Sequence, residues 1–350
     1  MDEQAVEEQT VRDESAGADA GPDGESGVGG IVAGVLAGLG LIWLAATLVV
    51  SHASVVGNAQ TPDVALGAAA FALPNLVAAA LLAGSATALL ATATPLARFL
   101  GGQTPARRLL AGLAGGAVLG GLCGALVVFG YGTYSRVEAL ALTIGVAALL
   151  GGAAAVLPRP VLAASVLACL GVLVLGLVVG FVQPGLVGLF GAGTSLDSQV
   201  NAGWLLAYTV AIVGGIVAGL LAFRFLRGHG PRPWPWFLLA GGLPGLLLLL
   251  TEALTRIGGA GLLNAVRGLS EGDQFAVDLA EFSRLRNAMV VFFVGGLAAM
   301  IAVGRTLGPG PEPAADDAPP PDEAPQLDDE RQLDDARQLD EARDSDEPMR

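Results

Sequence analysis

Long apolar runs, separated by short polar connections, fill the chain from Val28 to Leu307. A helix needs about 20 mostly apolar residues to cross the hydrocarbon of a bilayer. Eight runs meet that need and predict spans at 28–50, 64–91, 109–130, 139–157, 161–182, 202–226, 234–255 and 287–307. Backbone polar groups must be satisfied inside the protein where no water can reach them, and a helix does this within one segment. The expected fold is therefore an all-α polytopic transmembrane helix bundle.

Two polar ends flank it. Residues 1–27 are rich in Asp, Glu, Gly and Ser, and residues 309–350 begin with a Pro-rich run and turn acidic. Such segments bury too little apolar surface to offset the entropy of ordering. The reading is a disordered acidic N-terminal tail, a transmembrane domain over 28–308, and a disordered Pro-rich and acidic C-terminal tail. The C-terminal tail carries a six-residue repeat beginning at Gln326, Gln332 and Gln338. Its leucines, Leu327, Leu333 and Leu339, do not return to one helix face, so the repeat is no coiled-coil seam.

Composition agrees with a membrane domain. Of 350 residues, 53% are hydrophobic and 14% are charged, against about 25% charged in a typical soluble domain. Mean hydropathy is +0.64.

Charge adds orientation. All 18 basic residues are Arg. The net charge of −14 belongs to the tails, because the segment between them carries a surplus of Arg. Arg98, Arg107, Arg108, Arg159, Arg224, Arg227, Arg232 and Arg305 all fall on one side of the predicted bundle. Cytoplasmic loops are the ones enriched in basic residues. With eight spans, both termini are expected in the cytoplasm, in the plasma membrane of a prokaryotic cell. The N-terminal segment has no basic stretch before its apolar run, so span one is expected to stay in the mature protein.

Candidate chemistry is sparse. Gly112, Gly116, Gly120 and Gly124 form a four-step ladder in span three. Residues four apart share a helix face, and glycine there lets two backbones approach closely in lipid. The ladder predicts a helix-packing surface, within the bundle or in a homo-oligomer. Pro74 with Asn75, and Pro244, sit near mid-membrane, where interrupted helices can build a solute site. Glu252 stands four residues before Arg256 near the end of span seven, a spacing that predicts an interfacial ion pair. Ser270 and Asp273 form a capping-box-like start to a helix. Beyond it Phe275, Leu279, Phe282 and Leu285 recur at helical spacing, as the apolar face of a surface helix or as an extension of span eight. With the other long connection, 183–201, this helix could form a lid.

No catalytic constellation is present. CxxC, HExxH, P-loop and GxSxG patterns are all missing from the sequence. Cys123 and Cys169 fall inside spans, and His52 and His229 fall on opposite faces, so no metal site and no cofactor is predicted. No basic, aromatic-interleaved surface suggests nucleic acid. The expected partners are the lipid bilayer, a homo-oligomer or membrane complex, and a cytoplasmic partner of the acidic tails. Two functional readings follow. The first is a small-solute permease or channel. The alternative is a non-transporting membrane scaffold or complex subunit.

Overall fold

The computed structural model describes residues 23–57, 61–93, 104–131, 137–191, 195–230 and 232–306. Residues 1–22 and 307–350, with the repeat, lie outside the described residues, while the first helix begins at Asp23, inside the segment read as the N-terminal tail. Residues up to Gly304 form one compact unit, and Arg305–Arg350 are assigned to a second. The helices all belong to the first. They are α1 (Asp23–Gly57), α2 (Pro62–Ala93), α3 (Pro105–Tyr131), α4 (Val137–Ala153, closed by a 3-10 turn), α5 (Arg159–Leu189), α6 (Leu196–Arg227), α7 (Pro235–Gly258), α8 (Ala260–Arg267) and α9 (Glu271–Gly304). All but the short α8 are long and apolar enough to cross a membrane, giving eight spans in an all-α polytopic bundle.

The first four spans and the last four pack by one plan. In the first half α1 lies on α2, while α2 and α3 both lie on α4. In the second half α5 lies on α6, while α6 and α7 both lie on α9. Individual contacts repeat. Gly40 of α1 meets Ala86 and Leu82 of α2, and Gly171 of α5 meets Leu221 and Val217 of α6. Gly112 of α3 faces the Gly152 carbonyl and Ala155, and Gly241 of α7 faces the Gly295 carbonyl and Ala299. Gly116 then meets Ala148, and Gly245 meets Phe292. Leu-Leu-Ala-Gly ends at Gly112 and Gly241, as it also does at Gly84 on α2, and paired glycines stand at 151–152 and 295–296, among other such pairs. The halves share one four-helix packing arrangement.

Glycine explains why these contacts are so close. Lipid tails are as apolar as the helices, so hydrophobic burial does not drive spans together, and van der Waals contact and hydrogen bonding must. A Cβ built at Gly116 would lie 2.6 Å from the Ala148 carbonyl oxygen, and one at Gly120 would lie 2.8 Å from that of Gly145. Gly124 is looser, at 3.5 Å from the Ala141 oxygen. The ladder of span three is thus consumed by α4 of the same chain. Gly295 of α9 plays the corresponding part in the second half, where Gly219 of α6 and Gly241 of α7 both face its carbonyl.

One connection differs from expectation, and the other decides between the two alternatives left open. The 183–201 segment is not one loop, because α5 continues through Pro184 to Leu189. Pro184 lies beyond the predicted span, where its missing N–H removes one helical bond and the helix carries on. At the other connection α9 is one rod from Glu271 to Gly304, so the surface helix and span eight are continuous. Ser270 caps it as expected: its Oγ accepts from the Asp273 N–H at 3.1 Å and donates to the Asp273 carboxylate at 2.6 Å. Phe275 and Phe282 point outward, while Val277 and Glu281 turn toward the bundle. The physical reason is charge, as the ion pairs of Glu281 described below hold that face inward.

The repeat makes a direct prediction. Gly120→Leu drives a side chain into the α4 backbone, whereas a Cβ at the adjacent Gly121 meets nothing within 4 Å. Overpacking a tight contact costs about 1–3 kcal/mol. The expected result is a lowered thermal midpoint for Gly120→Leu and an unchanged one for Gly121→Leu, read by circular dichroism in detergent. Equal midpoints would contradict the packing role.

Candidate functional site

The asymmetry between the two halves creates a cleft. α2 of the first half packs on α5 and α7 of the second. The repeat equivalent of the α2–α5 contact would place α6 on α1, and no comparable contact is made there. A cavity of about 760 Å³ lies in that gap instead. Its walls come from Trp43 to Ser51 on α1, Asn75 and Ala78 on α2, Val172 to Gln183 on α5, Gly203 to Gly214 on α6, Leu248 on α7, and Asn287 and Val291 on α9. On α1, α5 and α6 these residues lie in the half of the helix nearer the α7–α9 connection.

Toward the arginine-rich end the passage is shut. Leu82, Ala86 and Leu89 of α2 pack with Leu162, Val166 and Leu170 of α5 and with Ala33, Leu36 and Ala37 of α1. These side chains form a dry apolar plug. Between cleft and plug lies a small void of about 30 Å³ that shares Ala78, Val172, Leu173 and Leu248 with the cleft. A void of that size has room for a water, but its mostly apolar walls offer few partners.

Chemically the cleft is an apolar trough with a few polar groups. Asn75 stands exposed on it from mid-membrane in α2. Asn287 contributes a buried side-chain oxygen with no hydrogen-bond partner. Ser51 and Gln183 lie nearer the mouth. The hydroxyl of Thr47 is already spent on the Trp43 carbonyl, at 2.8 Å. No charged side chain is among the lining residues. The hydroxyls of Thr87, Thr143, Ser165 and Thr209 likewise donate to carbonyls of their own helices. Such bonds satisfy the hydroxyl locally and leave little for a ligand.

The residues singled out from the sequence separate into three places. Pro74 and Asn75 are neighbours with different fates: Pro74 is buried inside an unbroken α2, and Asn75 faces the cleft. Pro244 is buried inside an unbroken α7 and lines the void below the cleft floor. Gly112, Gly116, Gly120 and Gly124 face α4, away from the cleft lining. Glu252 and Arg256 lie in a charge cluster at the connection end. Sequence reading missed Asn287 and the α1–α6 gap, since Asn287 carries no periodicity signal and a gap is a property of packing.

The charge cluster is larger than a single pair. Glu252 accepts from Arg256 Nε at 2.9 Å and from Arg284 Nε at 3.0 Å. Glu281 accepts from Arg267 Nη2 at 2.8 Å and stands 3.7 Å from Arg256 Nη2. Asp278 also binds Arg267. Partial desolvation acts to lower the Arg267 pKa, but the carboxylates of Asp278 and Glu281 outweigh it and the net shift is upward. Arg267 stays protonated at any ordinary pH. Three acids and three arginines thus tie α7, α8 and α9 together. Leu263 and Val266 of α8 and Val277 of α9 pack on Ala70 of α2 and anchor the assembly to the first half.

Among the described residues no group of three His, Cys, Asp or Glu side chains could hold a metal ion. Cys123 and Cys169 are both free and buried. Comparison of the chain with protein families, curated proteins and solved structures gives no match.

The cluster predicts an unequal response to mutation. The Glu252 side chain is only 3% exposed and holds two arginines, while Arg256 is 44% exposed. Removing one partner of a buried pair costs about 3–5 kcal/mol. Glu252→Gln is expected to destabilise strongly, and Arg256→Met weakly because Arg284 still covers the carboxylate. Thermal unfolding in detergent reads both, and equal effects would contradict the geometry.

Proposed function

We propose that this multi-pass membrane protein is a small-solute permease of the cell membrane, alternating access to the cleft between its two four-helix halves. The observation that carries this reading is the cavity that reaches Asn75 from one end while an apolar plug closes the other. Repeated halves flanking a mid-membrane site are the common plan of secondary transporters. The arginine-rich end is taken as cytoplasmic, so the cleft faces outward. Its walls suit an uncharged or amphipathic solute with hydrogen-bonding groups, held by Asn75 and Asn287. Catalysis has no part in this reading.

The repeat supplies a mechanism. Closing the cleft would bring α6 onto α1, as α2 already lies on α5. The small residues along the α6 wall, Gly203, Ala207 and Gly214, leave room for that approach. Opening the other way would separate α2 from α5 at Leu82, Ala86 and Leu162. Differential binding of the solute to the two forms drives the exchange.

The scaffold alternative drew on glycine-ladder packing, the scarcity of buried polar groups and the acidic tails. α4 covers that ladder within the chain, while Gly30, Gly34 and Gly38 of α1 meet nothing within 4 Å; the cavity beside Asn75 is what favours transport.

Two measurements test the proposal. In a background with Cys123 and Cys169 replaced, Asn75→Cys in intact cells should react with a membrane-impermeant thiol reagent, and Ala86→Cys in the plug should not. An inert Asn75→Cys would mean that water does not fill the cleft and would refute the reading. A Thr47→Cys, Ala207→Cys pair should crosslink across the cleft under oxidation and then protect Asn75→Cys from labelling. Failure to crosslink would remove the closing motion.

A further inference from the structure

Arg286 lies on α9 one residue before the cleft-lining Asn287, on the seam where α9 meets α6. Its guanidinium carbon stands 4.1 Å from the ring centre of Trp204 and 4.0 Å from that of Tyr208, both on α6. Phe282, one turn earlier on α9, is 5.6 Å away. Arg286 Nε and Nη2 are buried without a hydrogen-bond partner. The nearby acids are occupied: Glu252 holds Arg256 and Arg284, and Glu281 and Asp278 hold Arg267. The rings stabilise the cation through their faces. They cannot replace a carboxylate, and a charge removed from water without a counter-ion is costly.

The position of the group says which counter-ion fits. Arg286, Trp204, Tyr208 and Phe282 do not line the cleft. Phe282 is 55% exposed and Tyr208 36% exposed, so the cluster opens to the outside of the bundle. It sits beside the charge cluster that marks the polar end of the spans. In a bilayer that depth is the interface, where Trp and Tyr concentrate and phospholipid phosphates lie. A guanidinium is planar, weakly hydrated and shaped to donate two parallel hydrogen bonds to phosphate oxygens.

We propose that Arg286, caged by Trp204, Tyr208 and Phe282, binds the phosphate of a phospholipid headgroup on the α6–α9 seam. The aromatic rings pack against the glycerol and first acyl carbons, and the guanidinium donates to the phosphodiester. Because α6 and α9 both wall the cleft, a lipid bound there would brace the wall from its outer side. The site does not depend on the solute reading, since none of its residues lines the cavity.

The test uses the full chain in detergent, studied by native mass spectrometry with three probes: dioleoyl phosphatidylglycerol, phosphate-free dioleoylglycerol, and sodium phosphate. The phospholipid should remain bound to the unmodified protein. Arg286→Gln should weaken it about tenfold or more, as expected for loss of a charge-assisted hydrogen bond. Arg286→Lys, which keeps the charge and loses the planar fork, should fall between the two. Dioleoylglycerol should not distinguish the variants, and millimolar sodium phosphate should not displace the lipid. Equal phospholipid binding by the unmodified protein and Arg286→Gln would overturn the proposal. Displacement by sodium phosphate would also overturn it, assigning the site to free phosphate. Should the variants fail to fold, the unmodified protein still decides: phosphatidylglycerol must raise its melting temperature more than dioleoylglycerol at equal mole fraction, and equal midpoints would refute the site.

Discussion

Close backbone approach at glycine is the interaction on which the rest of this bundle depends. Spans in lipid gain little from burying apolar surface against one another, so association rests on contact at short range. Gly116 against Ala148 and Gly120 against Gly145 bring α3 onto α4. Gly241 and Gly219 against Gly295 bring α7 and α6 onto α9. Each set makes a tight unit of spans, and the same device appears twice. Between the units the contacts are broader-sided, with leucines and valines from α2 and α5 meeting at one end. The tight contacts make the halves internally rigid, and the looser boundary is where a cleft can exist.

Charge is the second organising force, acting at one end of the bundle. A carboxylate near the hydrocarbon is tolerated only when paired. Glu252 sits between Arg256 and Arg284, and Glu281 between Arg256 and Arg267, so each acid is shared by two arginines. The pairs also decide how α9 is turned. Rotating the rod to bury Phe275 and Phe282 would expose them less to their surroundings but would pull Glu281 away from Arg267. In lipid an outward phenylalanine costs nothing, whereas an unpaired carboxylate costs several kcal/mol, on the order of 2–4. The electrostatic term wins, and of the apolar stripe Phe275 and Phe282 face outward while Leu279 and Leu285 stay half-buried.

The split of that stripe depends on the surroundings of the helix as well as on its sequence. The apolar face of a helix predicts burial only when water is the alternative. For the eight spans themselves the reasoning was sound, because length and hydropathy respond to the thickness of the hydrocarbon alone. The Glu252–Arg256 contact was equally legible, since residues four apart meet on any helix. Its extension to Arg284 and Glu281, 32 and 29 positions from Glu252, was not, as nothing local connects them. The shared four-helix arrangement left no specific trace, since Leu-Leu-Ala-Gly ends at Gly84 as well as at Gly112 and Gly241.

By itself the sequence determined the class of solvent, the number of spans, the local caps and pairs, and the presence of a helix face made for close packing. These follow from chain length, apolar content and the 3.6-residue turn, which are properties of each segment alone. Only the tertiary structure decided that α4 covers the glycine ladder, that Asn75 faces a cavity while Pro74 does not, and that Arg286 meets three rings and no carboxylate. Those outcomes depend on which helix lies beside which. In a bundle of similar apolar helices, neighbours are chosen by a few small residues and a few charges far apart in the chain.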